Sequence, residues 1–212
     1  MERNEKGARK RMYFFLLSYS VLGAGIKYID DAFDKKIFNR LIAIAIAPVL
    51  SILGAYTMII DPVSATILLA VMLGVLLKGK IDNVAFALGF AVVILIVALA
   101  GIQFLILPLI LLTAGAVLDE VGNDYIDGEK DRLNPKNPIH MFVKYFLGQR
   151  WIMKTAILFL AIMNLVPIFF LLAMILFDYA YLSVNAYSNI KDQMTSASKM
   201  KKVIGTVGHI FK

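Results

Sequence analysis

The chain has no cysteine and only two histidines, His140 and His209, in 212 residues. The first absence excludes disulfides, thiol catalysis and thiolate metal sites. The second excludes a His-rich metal centre, so any metal is expected on oxygen ligands, which selects Mg²⁺, Mn²⁺ or Ca²⁺. Charge is also scarce: 17% of residues are charged, where a soluble domain carries about a quarter. Nucleophile–His–acid sets, Gly-rich phosphate loops and nucleic-acid motifs are missing too. The net charge of +7 implies no nucleic-acid partner, because basic residues flank the spans of any membrane protein.

What remains is apolar. Hydrophobic residues make up 60% of the chain and mean hydropathy is +0.77. The expectation is an all-α, polytopic transmembrane helix bundle, one domain over residues 1–212, with about six to eight membrane segments. The basic head, residues 1–11, leads into an apolar stretch, 12–26, that has no clear cleavage site for a signal peptide. That stretch has 15 residues, below the roughly 17–25 needed to span, so the sequence leaves open whether it crosses or dips.

Residues 41–60 read as a full span containing Pro48, Asp61-Pro62 as a tight turn, and 63–77 as the return. Residues 84–118 are too long for one span, with Gly101-Ile102-Gln103 as the turn between two. A long polar loop is expected through His140-Met141. Gln149-Arg150-Trp151 reads as an interfacial anchor, and 156–177, broken by Asn164 and Pro167, as a kinked helix or short hairpin. Residues 183–212 read as a polar, weakly amphipathic basic tail that suits an anionic membrane surface.

Two charged intervals interrupt this pattern, and they match. Gly25-x-x-Tyr28-Ile29-Asp30-x-x-x-Asp34-Lys35 aligns, 97 residues on, with Gly122-x-x-Tyr125-Ile126-Asp127-x-x-x-Asp131-Arg132. The match points to an internal duplication, with possible repeats 12–100 and 103–182. Membrane proteins built from such repeats place their sites at the repeat interface. Four expected spans lie between the two intervals, so both face one compartment. The positive-inside rule makes that side cytoplasmic in a multi-pass protein of the cell membrane.

In a helix, Asn123, Asp127 and Asp131 fall at i, i+4, i+8, and Asp124 beside them, so several carboxylates share a face. Like charges so placed repel unless a cation lies between them. Two such clusters suit a diphosphate: each Mg²⁺ takes one or two carboxylates plus phosphate oxygens, and Lys35, Lys36, Arg40, Arg132 and Lys136 add cationic donors. Tyr28 and Tyr125 are candidates to orient substrate. The apolar bundle would shelter a hydrocarbon chain from water.

The run Asn123-Asp124-x-x-Asp127-x-x-x-Asp131, followed by Asn134-Pro135 and Pro138, resembles the first aspartate-rich motif of the UbiA-type intramembrane prenyltransferases. Asp30-x-x-x-Asp34, preceded by Tyr28, is similar to their second motif; the order of the two is reversed here. The resemblance implies a Mg²⁺-dependent enzyme (Mn²⁺ as a substitute) that moves an isoprenyl group from its diphosphate to a lipophilic acceptor within the bilayer. It assigns Asn123, Asp127 and Asp131 to one metal and Asp30 and Asp34 to the other, the four aspartates being catalytic.

Two rivals are carried forward. Asp124-x-x-Asp127-Gly128-x-x-Asp131-Arg132 is similar to the start of the CDP-alcohol phosphotransferase signature, which would imply a phospholipid synthase. It lacks that signature's second half and leaves Asp30 and Asp34 unexplained. The other rival is a non-enzymatic membrane protein or ion carrier with acidic cytoplasmic loops. A carrier is expected to hold acids in mid-span, whereas the mid-span polar residues read from the sequence, Ser51, Thr57, Thr113 and Asn164, are uncharged. No reading fixes the oligomeric state.

Overall fold

The computed structural model describes residues 2–79, 81, 83–128 and 137–210, giving only the backbone course for 2–5, 127 and 196–210. Every regular element among them is an α-helix: α1 Glu2–Phe33, α2 Arg40–Ile60, α3 Pro62–Leu77, α4 Val84–Ala100, α5 Ile106–Gly128, α6 Pro138–Gly148, α7 Trp151–Ile162 and α8 Phe169–Ile210. Four of the helices contain segments long and apolar enough to cross a membrane: Lys6–Phe33, Arg40–Ile60, Ile106–Ile126 and Phe169–Thr195. Three shorter apolar helices, α3, α4 and α7, complete the bundle.

Local chemistry sets the helix starts. Asn39, Asp61, Asn83 and Asn137 each precede a helix and accept hydrogen bonds from its first backbone N–H groups, which are left unpaired by the helix itself. Asp61-Pro62 forms the expected turn, with Asp61 Oδ1 accepting from Val63 N at 2.8 Å. Gly101, in the left-handed region at φ 61°, ends α4 as expected. Pro48 lies inside α2 and does not end it.

α1 differs from its reading. Residues 12–26 belong to a 32-residue helix, about 48 Å long at 1.5 Å per residue. That is more than a bilayer's hydrocarbon core, and its segment Lys6–Phe33 is long and apolar enough to cross one. The helix continues through Lys27–Asp31 because these charges are paired within it, as described below. At the other end Arg11 donates to Asp61 Oδ2 at 3.1 Å. The basic head therefore lies by the α2–α3 turn, at the opposite end of α1 from Asp30 and Asp34.

α1 packs along α8, with α2 against α4 and α3 against α5. Phe15 and Tyr19 of α1 are fully buried against Phe170 of α8, ring centroids 5.2 and 6.2 Å away. The α1–α8 crossing is tight at Gly23, where a Cβ would lie 2.1 Å from the Phe177 carbonyl oxygen. The break at Asn164, φ 57°, turns α7 back into α8, so residues 156–177 form the hairpin alternative. α8 runs without interruption from Phe169 to Ile210; the stretch from 183 continues it, and Ser188 is buried against α1.

The two matched intervals also match in packing. Phe15 and Leu112, Tyr19 and Ala116, and Ile29 and Ile126, each pair 97 residues apart, are all buried. A Cβ on Gly25 would lie 2.3 Å from Leu50 Cδ1, and one on Gly122 would lie 2.8 Å from Leu147 Cδ2. Leu50 and Leu147 are themselves 97 residues apart. In both intervals, then, a glycine near the end of one helix admits a leucine from the next.

Candidate functional site

The end of α1 is a ladder of ion pairs. Lys27 lies 2.6 Å from Asp30 Oδ2 and 3.1 Å from Asp31 Oδ1, and Lys35 lies 3.2 Å from Asp31 Oδ1. Helical spacing puts i, i+3 and i+4 on one face, so these contacts follow from the sequence order. Asp31 is 1% exposed. A lone buried carboxylate would be very costly; two ammonium groups and the Ser188 hydroxyl, donating at 2.5 Å, make its burial tolerable. Lys35 also donates to Asn185 Oδ1 at 3.0 Å and Asn189 Oδ1 at 2.7 Å on α8.

The second interval is helical as well, not a loop from its start: α5 continues through Asp119, Glu120, Asn123 and Asp124 to Gly128. Asp119 faces inward and caps a different helix. Its carboxylate accepts from Ile152 N at 2.9 Å and Met153 N at 2.8 Å, the start of α7, where Arg150 provides no side-chain cap. Arg150 holds a left-handed backbone, φ 54°, a conformation that costs energy in a residue with a side chain. Capping by Asp119 and the 3.0 Å pair between Arg150 and Glu120 hold it there. Beside it, Lys154 of α7 pairs with Asp178 of α8 inside the bundle and donates to the carbonyls of Gln149 and Arg150.

Arg150, read from sequence as part of an interfacial anchor, belongs to this charged cluster. One finding corrects the sequence reading: the interior is not free of charge, since Asp119, Glu120, Lys154 and Asp178 are all buried. Burial works against the charge on Arg150, yet the Glu120 carboxylate, with Tyr181 and Asp178 behind it, outweighs that and holds the guanidinium above its usual range.

Tyr181 of α8 joins the two halves. Lys27 Nζ lies 5.2 Å and Arg150 Cζ 4.9 Å from its ring centroid, within cation–π reach. Around it two cavities meet. One, of about 440 Å³, is mainly apolar and runs between α1, α2, α3 and α4; its polar lining includes Asp30, Asp34, Glu120, Asn123 and Asp124. The other, of about 810 Å³, is lined by Lys27, Lys35, His140, Lys144 and Arg150 among polar neighbours. Lys27, Asn123, Arg150 and Tyr181 line both.

The expected residues divide as follows. Asp30, Asp34, Asn123 and Asp124 meet at the apolar cavity, although Asp124 also pairs with Lys78 at 2.9 Å. Lys35 lines the cationic cavity. Tyr28 stacks on Phe38, centroids 4.3 Å apart, and Tyr125 is exposed; neither lines either of these two cavities. Arg40 donates to the Ala32 and Phe33 carbonyls, closing the C-terminus of α1. Asp131, Arg132 and Lys136, and the side chain of Asp127, lie outside the described residues. Asp31, Glu120, Lys154, Asp178 and Tyr181 were not singled out from sequence. For Asp31 the signal was available, as Lys27, Asp31 and Lys35 fall at i, i+4, i+8.

Among the described residues no three of His, Cys, Asp or Glu form a ready-made metal cage. The donors that line the apolar cavity, Asp30, Asp34, Asn123 and Asp124, are all oxygen ligands. Hard Mg²⁺ takes one or two carboxylates and fills its shell with substrate phosphate and water. The chemistry of these residues suits Mg²⁺ on those terms, but Asp30 is paired with Lys27 and Asp124 with Lys78, so an ion arriving with a phosphate ligand would exchange for those pairs. Compared with known protein families, curated proteins and solved structures, the chain matches none.

Proposed function

We propose that this chain is an integral-membrane, Mg²⁺-dependent prenyltransferase that moves an isoprenyl group from its diphosphate to an acceptor. The observation that carries the reading is that Asp30 and Asp34 line the same apolar cavity as Asn123 and Asp124, although the two pairs are about 90 residues apart in sequence. The volume, about 440 Å³, falls within the roughly 300–1,000 Å³ of small-molecule sites. Its walls, including Leu50, Met58, Leu68, Phe86 and Phe90, suit a hydrocarbon chain. The matched intervals and their glycine–leucine contacts support descent from a duplication.

Membrane embedding is supported by the four long apolar helices and by exposed leucines on the outer faces, among them Leu41, Leu99 and Leu107. An apolar surface of that kind belongs in lipid. The basic residues around both intervals favour a cytoplasmic site.

In the reaction, the C1–oxygen bond of the prenyl diphosphate breaks, an acceptor atom bonds to C1, and diphosphate and a proton leave. Asp30, Asp34, Asn123 and, from the resemblance, Asp127 and Asp131 would hold Mg²⁺, which would supply charge neutralisation for the leaving group. Lys27 and Arg150 stand where the two cavities meet, placed to attract the diphosphate. The apolar walls exclude water from the reacting carbon.

One observation favours a second reading. The buried Lys154–Asp178 pair is the kind of mid-helix ionisable group that an ion carrier would use. Both readings face one experiment: binding of a long-chain isoprenyl diphosphate to the purified chain, with Mg²⁺ or with a chelator. The prenyltransferase reading expects Mg²⁺-dependent binding. Preference for a CDP-linked lipid would favour the phosphotransferase instead, and ion flux with no binding of either would favour the carrier.

A further inference from the structure

The cationic cavity is larger than the apolar one and chemically different. Lys35, Lys144 and Arg150 bring positive charge to its lining, and Gln149, Asn185 and Asn189 bring amides. Lys35 already has Asp31, Asn185 and Asn189 as partners and Arg150 has Glu120, but a flat apolar acceptor would still desolvate their remaining N–H groups and the Lys144 ammonium, at a cost for each. Charged donors select phosphate or carboxylate oxygens, and amides, which both donate and accept, select hydroxyl groups.

The wall formed by α6 says how such a ligand arrives. His140, Met141 and Lys144 line the cavity, while Ile139 and Phe142 are 68% and 65% exposed and none of the helix is buried. A short helix with one polar and one apolar face lies in the membrane interface. A headgroup can then enter the cavity beside α6 while an attached chain stays in lipid.

We infer that the cavity formed by α1, α6 and α8 is a binding site for a phosphorylated, hydroxyl-bearing headgroup, separate from the diphosphate subsite at Asp30, Asp34 and Asp124. Taken with the prenyltransferase reading, on which this clause alone rests, the headgroup belongs to the acceptor. The acceptor class is therefore a phosphorylated polyol, free or lipid-linked. The junction at Lys27, Tyr181 and Arg150 is where its reacting hydroxyl would meet the prenyl carbon.

The test is equilibrium binding to the purified full chain in neutral detergent with chelator present, so that Mg²⁺-dependent diphosphate binding plays no part. The probes are phosphatidylglycerol, glycerol phosphate and neutral diacylglycerol. Phosphatidylglycerol or glycerol phosphate should bind, and Lys144→Gln and Asn189→Ala, both at exposed positions, should each weaken binding about tenfold. Binding of the lipid alone assigns a lipid headgroup; equal binding of both assigns a soluble phosphate. The inference fails if neither binds, if diacylglycerol binds as well, or if Lys10→Gln at the far end of α1 weakens binding as much as Lys144→Gln. Failure here leaves Mg²⁺-dependent isoprenyl diphosphate binding, measured separately, as the judge of the prenyltransferase reading.

Discussion

Lys154 and Asp178 form an ion pair between α7 and α8 with side chains only 5% and 9% exposed. The pair fixes the height at which the short helix α7, twelve residues, stands against α8. Lys154 also holds the Gln149 and Arg150 carbonyls, so the pair reaches the residue that lines both cavities.

Breaking this pair should be costly. Lys154→Met leaves Asp178 charged and buried, with an expected loss of about 3–5 kcal/mol. The double variant Lys154→Met, Asp178→Leu removes both charges and should recover most of that loss. Thermal unfolding in detergent measures both. An Asp178→Leu variant that melts like the unmodified chain would show that the pair contributes nothing.

The matched glycine–leucine contacts make a paired prediction. Gly25→Ala and Gly122→Ala each force a leucine to move, and overpacking of this kind costs about 1–3 kcal/mol. Leu50→Ala should rescue the first variant and Leu147→Ala the second, with no cross-rescue. Gly23→Ala should have no side-chain rescue, because the atom in the way is the Phe177 backbone oxygen. Melting temperatures of the singles and doubles decide this, and cross-rescue would contradict the local packing.

How much of this was legible in the sequence differs by region. The α2–α3 and α4–α5 turns were readable because Asp61-Pro62 and Gly101 break helices by their own chemistry. The full length of α1 was not. Lys27, Asp30 and Asp31 read as an interval that interrupts the apolar pattern, because charge in an apolar chain marks a boundary, whereas here α8 supplies Ser188, Asn185 and Asn189 and pairing within α1 does the rest. Asp119 and Glu120 were not singled out, since their partners, the α7 N-terminus and Arg150, lie about 30 residues away. The span count led to the expectation that Asp30 and Asp34 face Asp127 and Asp131; Asp131 and the Asp127 side chain lie outside the described residues, while Asp30, Asp34, Asn123 and Asp124 line one cavity. Periodicity reveals which residues share a helix face, but it does not reveal which helix covers that face.

α1 should cross the membrane. Lys10 lies near the start of this helix and Lys36 just beyond its end, so in a sealed vesicle they should lie on opposite sides. The chain has no cysteine, so single-cysteine variants report without background. Lys10→Cys should react with an impermeant thiol reagent from one side, and Lys36→Cys and Tyr125→Cys from the other. Labelling of all three from one side would contradict the crossing.

The central claim is that the two intervals build one site, and a double-variant cycle tests it most directly. Mg²⁺-dependent affinity for a long-chain isoprenyl diphosphate is measured for Asp30→Asn, Asp127→Asn and the two combined. Each single variant should weaken binding about tenfold or more, the effect of losing a charge-assisted ligand. The combination should depart from the sum by about 0.5–3 kcal/mol, as residues sharing one ligand do. Full additivity, or single variants that bind as the unmodified chain does, would contradict the claim.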